Sequence, residues 1–490
     1  MRRNILLFFL LVSTLYAQPP EDALKAIEDA MLHFHLDKAD SLATALEDKG
    51  YEAFYRNNIL LYRYLASQEG HNLEAFRVEW KDAIGDIEDI SNQDPLKKTM
   101  LAEMYGKRAA LEFLDGKHLK AVNLVRSCHK LIHENVRRFP EDQSQNKLLG
   151  LFNVVFAAVP KKYQWLTNLL GYKGDMDLGM RQLAAAGYYG KLLPIEAELI
   201  AYYLEKNSLS RPDLAIKRME TVRKRKGSTI LTDFLLASAY GTEKRGKQAL
   251  EILNNKTPYL RDKRVFFISY WEYVRGKELY YNEEYTLAKA AFLQFLERHH
   301  GDIYKHDASF RLGMTEVFLG ENEAAKRRFG SLLQMKASPF DEDDYARSLA
   351  GRFAQRLPGE ALQVLFKARN RFDGGYYEKA LTSLEQLNPD ELSSAEKTEW
   401  YYRKGRILHS RGLLEEAHDM YAKAILIQAA GDARWMQAYA SFFMGEIARN
   451  TGDRGKAKAY YNSALGFGKV KHYYQAGLEN RVKAALGSMK

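Results

Sequence analysis

In the C-terminal half of the chain, the small and apolar positions follow one repeated spacing. A small residue is followed twelve positions later by an alanine, four further on by a large apolar residue, and three after that by another apolar one. The series Gly276, Ala288, Phe292, Phe295 is the first clear instance, and Gly313, Ala325, Phe329, Leu332 the second. Ala368, Ala380, Leu384, Leu387 follow, then Gly405, Ala417, Tyr421, Ala424, and last Gly445, Ala457, Tyr461, Ala464. Steps of four and three keep residues on one face of a helix, and the longer step leaves room for a turn between two helices. The glycines Gly320, Gly375, Gly412 and Gly452 sit in that step, seven positions after the small residue. The pattern predicts antiparallel helix pairs that approach closely where side chains are small.

This spacing resembles the tetratricopeptide repeat (TPR) family, in which the four positions are numbered 8, 20, 24 and 27 of each repeat. The resemblance implies an all-α fold, a TPR-type α-solenoid of antiparallel helix pairs. The chain departs from the family at position 4, usually a large residue, which here is Glu272, Ser309, Val364, Tyr401 and Ser441. Weaker units are read upstream at Ala237–Ala249–Leu253, at Ala215 with Met219, and at Ala109–Gly116–Ala121–Val125 with Cys128; Ala39, Ala43 and Leu46 suggest a first one. The long step between Ala325 and Ala380 predicts an extra helix near Tyr345 to Leu357, before Pro358-Gly359.

Between Ala121 and Ala215 the repeats fade. The run Gly150-Leu-Phe-Asn-Val-Val-Phe-Ala-Ala-Val-Pro160, then Gly171-Tyr-Lys-Gly-Asp175, Gly179 and Leu183, resembles the tetratricopeptide repeat protein 39 family, also known as the inclusion-body-clearance family. The likeness covers residues 150–186. It implies a buried helical hairpin with repeats on both sides, and no cellular role is carried over.

The N-terminus changes the expected compartment. Arg2 and Arg3 precede an apolar run, Ile5 to Leu15, which is shorter than the roughly 20 residues a membrane span needs. Ala17 then precedes Gln18-Pro19-Pro20. This is the pattern of a secretory signal peptide over residues 1–17, and it predicts an exported, periplasmic or extracellular protein. A helical region with divergent repeats is expected over 18–190 and a repeat superhelix over 191–490. Composition agrees with a folded helical chain: 46% hydrophobic, only 11 prolines, and a net charge of +10. The charge favours acidic partners mildly. Cys128 is the single cysteine, so no internal disulfide can form, and at position 27 it is expected as a small buried residue.

Candidate chemistry is sparse. His299, His300, His306 and Asp307 lie close in sequence, but their spacing fits no common zinc site, and solvated loop histidines are expected. Lys217, Arg218, Arg223, Lys224, Arg225 and Lys226 read as a solvated helix end whose cations favour the macrodipole. Nucleophile-elbow, metalloprotease and phosphate-loop motifs are absent from the sequence. No enzyme activity, cofactor, metal, nucleic-acid partner or membrane span is therefore expected.

In the TPR family, positions 2, 5, 9 and 12 of each first helix face the concave groove. Carried onto this chain, they give Tyr270, Tyr273, Lys277 and Tyr280; Phe310; Arg369 and Phe372; Tyr402, Arg406 and His409; and Tyr439, Phe442 and Arg449. Rings interleaved with Arg and Lys suit a protein or peptide partner carrying carboxylates and apolar groups. Two alternatives stand beside this one: rings that pack between repeats, and a glycan- or nutrient-binding envelope protein that uses the rings for sugar stacking.

Overall fold

The computed structural model describes residues 18–158, 174–208, 211–256, 264–336, 341–428, 433–469 and 473–489; the expected signal peptide lies outside them. Among the described residues there is no strand. The chain forms two compact units, one of residues 1–239 and 252–269, the other of residues 240–251 and 270–490. The chain passes from one unit to the other within residues 240–270. The helix that begins at Pro194 packs against the one that ends at Tyr189.

Unit 1 begins with a short pair, α1 (Glu21–Leu32) and α2 (Leu36–Thr44). Ala39 and Ala43 are fully buried in α2, as the spacing predicts. Two longer hairpins follow: α3 (Lys49–Ser67) with α4 (Gly70–Glu88), and α5 (Lys97–Leu114) with α6 (His118–Arg138). Next come α7 (Asn146–Ala158) and α8 (Met176–Tyr189), joined by residues 159–173, which lie outside the described residues. These two helices cross at a pair of glycines. A Cβ on Gly150 would stand 2.7 Å from the Gly179 carbonyl oxygen, and one on Gly179 would stand 2.7 Å from that of Gly150. Asn153 ties the crossing by donating to Gln182 (2.7 Å) and accepting from the Asp175 amide (3.2 Å). Helices α9 (Pro194–Tyr203), α10 (Pro212–Lys226) and most of α11 (Ile230–Thr242) complete the unit.

Unit 2 contains the end of α11 and the first half of α12 (Gly246–Lys256). Five pairs follow: α13 (Ser269–Tyr281) with α14 (Tyr285–Arg298), α15 (Lys305–Phe318) with α16 (Asn322–Leu333), α18 (Glu360–Asp373) with α19 (Tyr377–Glu385), α20 (Ser394–Ser410) with α21 (Leu414–Leu426), and α22 (Arg434–Asn450) with α23 (Arg454–Gly466). The extra helix is α17 (Asp341–Gln355), and α24 (Gln475–Ser488) packs on the last pair. These are TPR-type pairs, built as the spacing predicts. The small residue at position 8 makes room for the ring at position 24: a Cβ on Gly276, Gly313 or Gly445 would press on Phe292, Phe329 or Tyr461 at 2.6–2.8 Å.

One backbone feature runs through both units. The turn residue at position 15 takes a left-handed conformation in pair after pair: Gly116, Gly320, Gly375, Gly412 and Gly452 have φ between 76° and 85°. Glycine adopts this at little cost. Three pairs keep the conformation without glycine, at Phe34 (φ 54°), Lys244 (57°) and Glu283 (64°).

Candidate partner-binding site

The first helices of unit 2 carry the sequence-predicted site residues, and the structure sorts them into rings and cations. Tyr273, Tyr280, Phe310, Phe372, Tyr402 and Phe442 are buried, with no more than 6% of any of them exposed. They pack between neighbouring helices. Tyr273 stacks on Tyr304 (centroids 4.7 Å apart), Phe310 lies against Phe329, Phe353 and Phe366, and Phe442 lies against Tyr461. Tyr270 and Tyr439 are half-buried. The cations Lys277, Arg369, Arg406 and Arg449 and the imidazole of His409 are also half-buried, their stems laid across the rings.

Three groups form. Lys277 lies over the Tyr273 ring at 5.6 Å. Beneath it, Asp307 accepts from the Tyr273 hydroxyl (2.8 Å) and from Arg311 (2.6 Å). Burial pushes the Asp307 carboxyl up, but the Arg311 guanidinium outweighs it and holds the group below the usual carboxylate range. Tyr280, Phe310 and Arg369 meet at a hollow of about 40 Å³, with Arg369 over the Tyr345 ring and 3.6 Å from Asp373. Arg449 stands apart, paired with Glu446 at 2.7 Å.

The third group is the most distinctive. Arg406 lies 5.1 Å from the centre of the Phe372 ring and 4.2 Å from that of Phe443, and donates to the Tyr402 hydroxyl at 3.2 Å. The His409 ring meets Phe443 edge-on, with centroids 5.8 Å apart. Lys244, absent from the sequence-predicted set, places its ammonium 3.5 Å from the centre of the same Phe372 ring. It is brought there by a turn-to-turn contact. The Gly246 amide donates to the Gly374 carbonyl (3.3 Å), and at Gly375 any Cβ would strike the Lys244 carbonyl oxygen.

Neither Arg406 nor Lys244 has a carboxylate within ion-pair distance among the described residues, and Asp373 acts on both from further off. Burial, and then Arg406, push the Lys244 ammonium down to about 7. Burial, followed by Arg406 and Lys244, also lowers His409. The site thus gathers basic side chains on aromatic rings, with Asp373 and Glu243 as their more distant carboxylates. The signal that could have revealed Lys244 is its register. It occupies position 15 of the Ala237–Ala249 unit, where glycine is the easier residue.

Two expectations are corrected. His299 and His306 are not solvated loop residues, since each is 2% exposed. His299 stacks on Phe295, and burial lowers its imidazole to about 4; His306 lies 3.8 Å from Asp343. No group able to hold a metal ion occurs among the described residues. The basic run is not simply a solvated helix end either. Arg218 pairs with Glu198 (2.8 Å) and Glu205 (2.7 Å), Arg225 with Glu198 (2.6 Å), and Arg223 with Asp233 (2.5 Å). All three carboxylates are buried.

Fold and site together describe an all-α, TPR-type protein with a cationic face on its first helices. No family model matches the chain, and no curated protein matches it. Similar solved structures include a human IFIT1 dimer with PPP-AAAA, 12% identical, covering 89% of this chain and 94% of that one, with a TM-score of 0.30. The APC/C hetero-tetramer Cut9–Hcn1 is 13% identical over 95% of this chain and 90% of that one (TM-score 0.27). A monomeric IFIT1 mutant with m7Gppp-AAAA is 13% identical over 91% and 98% (TM-score 0.30). At these values the likenesses carry no functional conclusion. No described helix is long and apolar enough to cross a membrane.

Proposed function

We propose that the chain is an exported scaffold that binds an acidic protein or peptide segment on the first-helix face of unit 2, and that it is not a catalyst. The observation that carries this is the Lys244–Phe372–Arg406 stack, two basic side chains on one ring with no carboxylate within ion-pair distance among the described residues. A carboxylate placed there would gain charge-assisted hydrogen bonds in a desolvated setting, where they are strongest. Lys277, Arg369 and His409 would extend the contact to either side. Sugar stacking is the weaker alternative, because six of the rings are buried at 6% exposure or less and offer no open face. Export rests on the Arg2-to-Ala17 pattern, and N-terminal sequencing should find a mature chain that starts near Gln18. The kinship of residues 150–186 to the family named above belongs to the same proposal. It is supported by the close Gly150–Gly179 crossing.

The test compares wild type with Lys244→Gly and Arg406→Gln. Partners captured from extract by wild type are identified, and their acidic segments are titrated as peptides by calorimetry. Both variants should weaken binding at least tenfold, and affinity should fall as salt rises. Equal affinity for the variants would place the site elsewhere. Salt-sensitive binding of a 5′-triphosphate oligoadenylate, lost in the same variants, with no acidic peptide bound, would replace the peptide with RNA.

A further inference from the structure

Unit 1 contains a hollow of about 720 Å³ between α5, α6, α7 and α9, within the roughly 300–1,000 Å³ of ordinary ligand pockets. Its walls follow from the repeat pattern. Gly106, Ala109 and Ala110 on α5 leave one side without bulk, and Val122 and Val125 on α6 form the next. Leu148, Leu151 and Val155 of α7 close the far wall. At the mouth, Phe113, Leu114 and Val155 are 60%, 80% and 43% exposed.

The floor is polar, but it is closed on itself. Lys147 lies 2.7 Å from Glu103 and 2.9 Å from Glu196, and Lys107 lies 2.8 Å from Glu196 and 3.5 Å from Glu103. Lys147 also donates to the Leu192 and Leu193 carbonyls. Two cations and two carboxylates cancel. Burial pushes the Lys147 ammonium down, yet Glu103 and Glu196 outweigh it and hold the group protonated; burial likewise pushes Glu196 up, yet Lys107 and Lys147 bring it down to about 2. Among the described residues, no charged group at the floor is left to receive a charged head group.

These facts narrow the occupant. Water would need roughly two dozen molecules at about 30 Å³ each, and each would want two to four polar partners that the walls lack. A helix with its side chains is about 10–12 Å across, so the volume takes fewer than about two turns of one. A flexible aliphatic chain has no polar groups to satisfy and fits a void of irregular outline. We propose that the hollow holds the chain of a single-chain amphiphile, such as a long-chain fatty acid, with the head left at the mouth.

The experiment titrates the full-length protein with cis-parinaric acid, an 18-carbon fatty acid whose fluorescence rises in apolar surroundings. One saturable site is expected, from which palmitate and 1-hexadecanol displace the probe alike, since the head stays outside. Among saturated acids, affinity should rise about fourfold per added methylene until the hollow is full. Gly106→Leu with Ala110→Phe should lower affinity at least tenfold while the circular dichroism is kept. If that pair fails to fold, Ala110→Phe alone tests the same point, because Ala110 is exposed. No saturable site in wild type, or unchanged binding in a folded filled variant, would overturn the proposal. So would a concentration-dependent dimer that covers the mouth and excludes the probe.

Discussion

A Cβ placed on Gly405 would lie 2.7 Å from two ring carbons of Tyr421 and 3.3 Å from the Ala417 carbonyl oxygen. The ring occupies the space that a side chain at 405 would take. Gly276 with Phe292, Gly313 with Phe329 and Gly445 with Tyr461 repeat the relationship, so the lock lies within four of the five pairs, the α18–α19 pair having Ala368 and Leu384 instead.

Enlarging Ala417, which is fully buried, should overpack this lock. Ala417→Leu is expected to cost about 1–3 kcal/mol in a denaturant melt of the full chain. Gly405→Ala should cost a similar amount. Combined with Tyr421→Leu it should cost less than the two single changes summed, because the smaller side chain vacates the contact.

The buried ion quartet of unit 1 sets a second expectation. Lys147 is 3% exposed and faces two carboxylates. Lys147→Met leaves Glu103 and Glu196 with one cation between them, a loss of about 3–5 kcal/mol by urea unfolding. Replacing Lys147, Glu103 and Glu196 together with apolar residues of similar volume should recover most of that loss.

Glu278 gives a pH signature. It is 1% exposed, neither carboxyl oxygen has a hydrogen-bond partner among the described residues, and burial raises its carboxyl to about 7. A carboxyl whose folded value is raised binds its proton more tightly in the native state. Its contribution is present below about pH 4.5 and is lost as pH rises through about 7. Glu278→Gln does not titrate, so its stability relative to wild type should improve by roughly 3 kcal/mol between pH 4.5 and pH 8. A difference that stays flat across that range would mean that the carboxylate finds a partner in solution.

Lys244 separates stability from binding. A non-glycine residue at φ 57° costs roughly 1–2 kcal/mol. Lys244→Gly relieves both that strain and the desolvated charge, so the thermal midpoint should hold or rise while partner binding falls. Reversal of Arg369 and Arg406 behaves differently. Their positions in the sequence suggest exposed cations whose change to Glu would leave stability untouched. With stems packed on Tyr345, Phe372 and Phe443, Arg369→Glu with Arg406→Glu should lower the midpoint as well as the affinity.

The five pairs of unit 2 are legible in the sequence because their packing is local. Positions 8, 20 and 24 meet within some sixteen residues, and each type is dictated by the space at one crossing. The roles of the rings at position 5 are not legible that way. Tyr273 and Phe310 suit a ligand surface or a core equally until the neighbouring helix is placed, and the structure places them in the core. The ion quartet joins residues 103, 107, 147 and 196, and Lys244 reaches a ring 128 positions further along the chain. No local period encodes such meetings. His299 misleads for a related reason: Gly301-Asp302 marks a loop, but the imidazole folds back onto Phe295.

Under the proposed function, Lys244 and Arg406 on the Phe372 ring also act as a built-in gauge. Burial and Arg406 together bring the Lys244 ammonium down to about 7, and an anion bound beside both would raise it again. Occupancy is therefore written into the melting temperature, in proportion to the logarithm of ligand concentration over Kd. A library of acidic peptides can be screened by thermal shift alone, with Lys244→Gly as the silent reference. The proposed partner can be approached this way before anyone knows which extract to fish in.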